Sequence, residues 1–373
     1  MLGLYIHIPF CSHVCPYCDF HKMVASKKFI DSYLKALLEE MKIKKLNKYL
    51  FDTLYIGGGT PSLLDNDQLE YLLSNLNSYL NLENLQEFTI ECNPEDINEE
   101  FIKNIKKYKI NRISIGVQTL NPKYQKMLNR FVEYKDLKKI AQLLSENNFK
   151  NYSFDLMYGF LNQNIEELKK DIDLLIDLNP THLSIYSLLI ENHTILHHLQ
   201  DQGNTFVGTD DEQASLYDYI INYLPKKNYY QYETSNFSIK GYESKHNLIY
   251  WNDDKYLAIG SGATAFDGIA RRKMTTKITD YINSLNKGIL PIQDEEVLTI
   301  RELKEEYIAM NFRKCDGICI DDYEKRFNEN IFMTFPNLQN LINKGVLVFK
   351  DKHIAIEKKY RYVANYIIVE VIS

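Results

Sequence analysis

The chain has 373 residues, 45% hydrophobic and 25% charged, and its 44 Lys+Arg against 50 Asp+Glu give a formal net charge of −6. Such a composition is ordinary for a globular protein and excludes a disordered chain or a coiled coil. The acidic balance lacks the basic footprint of a general nucleic-acid binder, so no nucleic-acid partner is expected. The apolar start MLGLYIHIPF has neither a basic n-region nor a small-residue cleavage site and does not read as a signal peptide. No apolar run is long enough to span a bilayer. The expected location is the cytoplasm, with at most peripheral membrane contact.

In chain order, short β-branched or aromatic runs predict strands at Leu4–Ile8, Thr53–Ile56, Glu87–Glu91, Arg112–Ile115, Tyr152–Leu156 and Leu183–Tyr186. Amphipathic stretches between them predict helices, clearest at Lys28–Lys48, Asp67–Leu80, Tyr134–Ser145 and Glu166–Leu178. Strands alternating with helices mean βαβ units and a parallel sheet. Six units suit an α/β fold of the partial TIM type, a (β/α)6 barrel. Several strands run on into unusual polar sequence: HIPFC, GGGTP, ECNPE, GVQ and DLMYG. Parallel barrels carry their chemistry at the carboxyl ends of the strands, so these tails form the expected site rim. Past residue 240 the alternation fades, and Pro291–Asp294 marks an expected boundary. Residues 1–290 would form the barrel. Residues 291–373 would form a small winged-helix-like domain, with helices near 298–313, 319–328 and 335–344 and strands at 346–349 and 353–356. Its charges nearly balance, which suits packing or partner docking better than DNA.

Six cysteines occur, and three of them form Cys11-Ser-His-Val-Cys15-Pro-Tyr-Cys18, a C-x3-C-x2-C spacing. Clustered cysteines in a chain of this size without a signal peptide point to metal or redox chemistry. Three thiolates from one loop can ligate three irons of a [4Fe–4S] cube and leave the fourth iron open to a small chelating ligand. Two other readings compete. A structural zinc site would need a fourth ligand such as His13 or His21. A dithiol redox centre would use Cys15-Pro-Tyr-Cys18 alone, leaving Cys11 unused. The dithiol reading also does not account for Gly57-Gly58-Gly59-Thr60-Pro61 at the end of the second strand, where glycines permit close main-chain approach to a ligand. Cys92, Cys315 and Cys319 need no function.

With the glycine segment behind it, the cysteine motif resembles that of the radical SAM superfamily. The wider pattern resembles its HemN/HemW group, through Tyr5-Ile-His-Ile-Pro-Phe-Cys11, Gly57–Pro61, Glu91-Cys-Asn-Pro94, Arg112–Gln118, Asp155-Leu-Met-Tyr-Gly159 and the tail. The resemblance implies a [4Fe–4S] cluster on Cys11, Cys15 and Cys18, with S-adenosylmethionine (SAM) on the open iron. It implies a SAM site lined by Tyr5, Tyr17, Gly58, Gly59, Thr60, Glu91, Gln118, Arg130 and Asp155. Glu91 and Asp155 would accept from ribose hydroxyls or the ammonium, Arg130 would pair with the carboxylate, and Tyr17 would pack on the adenine.

The group holds two functions: oxygen-independent coproporphyrinogen III oxidases, and haem chaperones that bind haem and hand it to respiratory haem proteins. Position 20 is Phe where the oxidases carry a further cysteine, and only ten residues precede Cys11, without the oxidases' longer N-terminal arm. His246-Asn-Leu-Ile-Tyr250-Trp251 matches the HNxxYW motif associated with haem in the chaperones. A neutral imidazole is a standard axial ligand, and Tyr250 and Trp251 offer flat faces to a porphyrin. The expected function is that of a haem chaperone; the alternative is the oxidase. The implied partners are haem, haem-accepting proteins such as membrane respiratory enzymes, and an electron donor. Three positions depart from the family pattern: Val132 replaces His in R-x-H, and Leu161 and Asn162 replace Pro and Gly in G-x-P-G-Q, which is Gly159-Phe-Leu-Asn-Gln163 here.

Overall fold

The computed structural model describes all 373 residues. Six strands carry the fold: β1 (Gly3–Ile8), β2 (Thr53–Gly58), β3 (Glu87–Cys92), β4 (Arg112–Gln118), β5 (Tyr152–Tyr158) and β6 (His182–Ser187). They pair in parallel and in chain order. Parallel neighbours need crossovers, here supplied by α1 (Lys27–Ile43), α2 (Asn66–Tyr79), α3 (Glu99–Lys107), α4 (Pro122–Leu128) with α5 (Tyr134–Glu146), and α6 (Ile165–Ile176). The expected (β/α)6 partial barrel is present. Side-chain starts cap its crossovers. Asp65 and Gln68 form a reciprocal capping box on α2, as Asn164 and Glu167 do on α6. The first helix stops earlier than its apolar period predicts. Lys45 takes a left-handed φ of 52°, and only a short 3-10 turn, Leu46–Lys48, follows.

The sheet grows at both edges to twelve strands. Beyond β6 lie the antiparallel β8 (Asn236–Ser238) and β7 (Tyr230–Gln231). Beyond β1 comes β9 (Tyr256–Ile259), parallel to it, then the antiparallel β10 (Thr264–Phe266), β11 (Ala270–Met274) and β12 (Ile292–Val297). Sheet pairing therefore runs to Val297, past the boundary expected at Pro291–Asp294. The tail has its own core, including Ile308, Tyr323, Leu338 and Ile354, around a three-stranded sheet. That sheet has the order β13 (Ile318–Cys319), β15 (His353–Ile356), β14 (Leu347–Lys350). A final helix, Ala364–Ile372, was not apparent from the sequence. No helix is long and apolar enough to cross a membrane.

Strand side chains alternate with period two. One set, including Leu4, Ile6, Leu54, Phe88, Ile113, Phe154 and Leu183, is buried in the main apolar core. The other set faces the lumen and is polar: Tyr55, Glu91, Arg112, Ser114, Asp155 and Ser184 all line one cavity. After β6 come α7 (Ile195–Asp201) and α8 (Asp210–Tyr223). Next, α9 (Lys245–Trp251) closes the amino-terminal end of the strands. Its first amides, Lys245 N–H and His246 N–H, donate to Glu87 at 2.9 and 3.0 Å, so a carboxylate sits at the positive end of this short helix. The far end of α9 meets the tail through Lys314 Nζ to Asn252 Oδ1 at 2.7 Å and the ion pair Arg326–Asp253 at 2.9 Å.

Glu40 on α1 is fully buried. It accepts from Gly260 N–H at 2.9 Å and Tyr281 hydroxyl at 2.5 Å, and it pairs with Lys44 at 2.5 Å. Removing one partner of such a group strands the others without water. Glu40→Leu is expected to lower unfolding stability by about 3 kcal/mol in urea denaturation. An unchanged midpoint would show that the cluster adds no stability.

Candidate functional site

The cavity at the carboxyl ends of β1–β6 has a volume of about 460 Å³ and runs from the cysteine loop down the lumen to α9. Cys11, Cys15 and Cys18 all line it, with Cys11 buried and the other two partly exposed. The loop that carries them is tied at its base: Met23 N–H donates to the Pro9 carbonyl at 2.8 Å, and Cys11 N–H to the Met23 carbonyl at 3.0 Å. Thr60 hydroxyl lies 3.5 Å from Cys11 Sγ. Burial pushes the Cys11 and Cys15 thiols up. No three His, Cys, Asp or Glu side chains converge on a single-ion site. His13 Nε2 lies 3.8 Å from Cys15 Sγ, and His21 Nε2 is 3.1 Å from Ser261 hydroxyl.

The glycine segment sits against this loop. Gly59 N–H donates to the Ile8 carbonyl at 2.9 Å and Thr60 N–H to the Phe10 carbonyl at 2.7 Å. A Cβ on Gly59 would lie 2.6 Å from the Phe10 oxygen and 2.9 Å from Cys11 Sγ, so only glycine fits. Gly58 has φ +120° and turns its N–H to Glu91 Oε2 at 3.0 Å. Tyr55 hydroxyl donates to Glu91 Oε1 at 2.8 Å. Asp155 accepts from Ser114 at 3.0 and 3.1 Å. Desolvation in the lumen is the main cause that raises Glu91 to about 7 and Asp155 to about 6, each against its hydrogen bonds.

Gln118 ends β4 at a register shift with a left-handed φ of 70°, uncommon for a side chain of its type. Asp171 holds the turn beside it, accepting from Thr119 hydroxyl at 2.7 Å and Leu120 N–H at 3.0 Å. Asn129, also left-handed, ends α4 and delivers Arg130 to the rim, where it donates to Asn93 Oδ1 at 2.8 Å and the Gly116 carbonyl at 2.9 Å. Tyr17, Gly58, Gly59, Thr60, Glu91, Gln118, Arg130 and Asp155 thus share one cavity. Tyr5 stands behind the wall. Its hydroxyl bonds to His7 Nδ1 at 2.9 Å, and His7 Nε2 reaches the His21 carbonyl at 3.0 Å. Two of the departures are placed as well: Val132 packs on the main core, and Leu161 N–H bonds to the Phe206 carbonyl at 2.8 Å.

His246, Tyr250 and Trp251 are not on that cavity. His246 is 1% exposed and both ring nitrogens are engaged, Nδ1 with Thr53 hydroxyl at 2.7 Å and Nε2 with Tyr250 hydroxyl at 2.8 Å. Burial keeps it neutral, with a pKa of about 3. Tyr55, which lines the cavity, stacks on the imidazole at 5.1 Å between ring centres. Ser244 and Asn247 of the same segment do face the cavity, as do Arg112, Ser184, Tyr186 and Asn236. Sequence reading missed these lumen residues. Their signal was the polar alternation along strands that a fully covered parallel sheet would fill with apolar residues.

Because the folded pKa of Glu91 lies above its unfolded value of 4.5, its share of stability is full below pH 4.5 and is lost as pH rises through 7. Glu91→Gln is expected to flatten the fall in urea-unfolding stability between pH 5 and 8. An identical pH profile in both proteins would contradict the assigned burial.

Sequence comparison places this geometry. The radical SAM superfamily model matches residues 5–175, and the HemN C-terminal domain model matches residues 298–362. The chain is 37% identical over 346 residues to the heme chaperone HemW of Lactococcus lactis subsp. lactis (strain IL1403), spanning 92% of this chain and 90% of that protein. It is 34% identical over 351 residues to the heme chaperone HemW of Bacillus subtilis (strain 168), spanning 93% of each. Among solved structures, coproporphyrinogen III oxidase (HemN) from Escherichia coli, a radical SAM enzyme, superposes with a TM-score of 0.85 at 20% identity. That superposition covers 100% of this chain and 90% of the other, a likeness of fold. On near full-length identity, with the cysteine loop and glycine segment in place, this chain belongs to the HemW family of radical SAM proteins.

Proposed function

We propose that this chain is a haem chaperone, which binds haem and passes it to haem proteins. The observation that carries the reading is the 37% identity to a heme chaperone over 92% of the chain. Phe20, 62% exposed at the cavity mouth where the oxidases have a cysteine, agrees with it.

Cys11, Cys15 and Cys18 would hold the [4Fe–4S] cluster. The donor set fits: three thiols from one loop at one cavity mouth, with Gly59 leaving the space beside Cys11 that a Cβ would fill. A cluster held there supplies an electron and an open iron. Around it, Gly58, Gly59 and Thr60 offer main chain to SAM, while Glu91, Gln118 and Asp155 offer acceptors. Arg130 supplies a carboxylate partner, Tyr17 an aromatic face, and Tyr5 orients His7 behind the wall.

We assign the haem ligand to His246, flanked by Tyr250 and Trp251. Its imidazole is already neutral, the form that ligates iron. To ligate through Nε2 it has to give up Tyr250, while Nδ1 can keep its bond to Thr53, so α9 must shift at Tyr250. The tail, contacting α9 through Arg326 and Lys314, is the docking element of a two-unit chain divided after β12 ends at Val297. The receiving proteins in this reading include membrane respiratory enzymes, an electron donor serves the cluster, and the chain works in the cytoplasm.

Cys15→Ser is expected to drop iron in reconstituted protein from about four per chain to near zero by elemental analysis. Full retention would rule out the three-cysteine assignment. Haem added to anaerobic, reconstituted protein is expected to give a saturable Soret band that His246→Ala weakens about tenfold or more. Coproporphyrinogen III with SAM and a reductant should release no CO2. Decarboxylation without haem binding would return the chain to the oxidases.

A further inference from the structure

The lumen holds a positive charge that no carboxylate touches. Arg112 opens β4, is 3% exposed and lines the cavity. Both of its hydrogen bonds leave from Nη1, to Asn151 Oδ1 at 3.1 Å and the Tyr242 carbonyl at 3.4 Å. No acidic oxygen lies within 4.0 Å of its guanidinium. The nearby acids are engaged elsewhere: Glu87 on the first amides of α9, Asp155 on Ser114, and Glu91 on Tyr55 and the Gly58 amide. Asp155 does feel the arginine's field across the lumen.

A buried guanidinium without a contacting counter-ion is unfavourable. Its planar fork of donors matches a carboxylate. Elsewhere on the same lining, Asn236 Oδ1 is buried without a partner. Arg130, at the rim beside the cysteines, is the better placed partner for a ligand anchored there. Arg112 lies four residues before Gly116 on the same strand, roughly 13 Å deeper at about 3.3 Å per residue. A second, longer ligand is therefore needed to reach it. Ser244 and Asn247, from the segment that carries His246, line the same chamber.

We propose that Arg112 is the carboxylate-recognition residue of the lumen and receives a propionate of haem. This rests on the haem reading above. The test compares haem with haem dimethyl ester, titrated into the full-length, cluster-reconstituted protein and followed at the Soret band. In the wild type the ester should bind at least about tenfold more weakly, the loss of one charge-assisted pair. In Arg112→Gln, haem should fall to the ester's affinity while the ester is unmoved, and Arg112→Lys should lie between. Circular dichroism reports folding, and if Arg112→Gln does not fold, the wild-type and lysine comparisons decide. Equal affinities in the wild type overturn the proposal, as does a preference for the free acid that persists in Arg112→Gln. No haem binding at all overturns the chaperone reading itself, a different result from equal binding of acid and ester.

Discussion

The close approach of Gly59 to the Phe10–Cys11 peptide is the contact on which the site depends. It locks the carboxyl end of β2 onto the start of the cysteine loop through two main-chain bonds, Gly59 to Ile8 and Thr60 to Phe10. Any side chain at 59 would collide with backbone and sulfur together. The loop has little regular structure, so its position comes from this clamp and from the pairing of Met23 with Pro9 and Cys11. A rigid sheet thereby sets where three thiols stand relative to the polar residues in the lumen.

That lumen departs from the usual interior of a parallel barrel, where branched apolar residues fill the layers. Here acids, hydroxyls and one arginine face inward, and each acid is held by hydroxyls or amides in place of a salt bridge. The arrangement suits binding: the groups are ordered before a ligand arrives, and little reorganisation is needed. The floor differs from the rim. At the rim main chain and thiols are exposed, whereas at the floor α9 seals the barrel with His246 inside the seal. Under the proposed assignment, haem ligation through His246 would couple the seal to the tail, because Asn252 and Asp253 at the end of α9 hold Lys314 and Arg326.

Much of this was legible in the sequence. The six parallel strands follow from apolar runs, and their polar extensions marked the rim because parallel strands end on one face. The cysteine spacing and the glycines pointed to one site, and the structure brings them together. Three features were not legible, each for a physical reason. β12 is entirely exposed, so no apolar pattern revealed that its pairing extends the sheet past Pro291. Lys45 breaks the first helix by a backbone choice that its side chain does not advertise. The burial of His246 was not legible because a motif reports residue types and not packing; its bond to Thr53 joins positions 193 apart in the chain. Arg112 was passed over inside a strand, although its polar alternation with Ser114 was in plain view.

The central claim is that this chain carries haem to other proteins. The most direct measurement loads the reconstituted protein with haem and mixes it with a haem-free respiratory haem protein, following transfer by absorbance as acceptor concentration is varied. The account predicts that the transfer rate rises with acceptor concentration, as handover within a complex requires. A rate that stays fixed at the spontaneous release of haem, whatever the acceptor concentration, would contradict it.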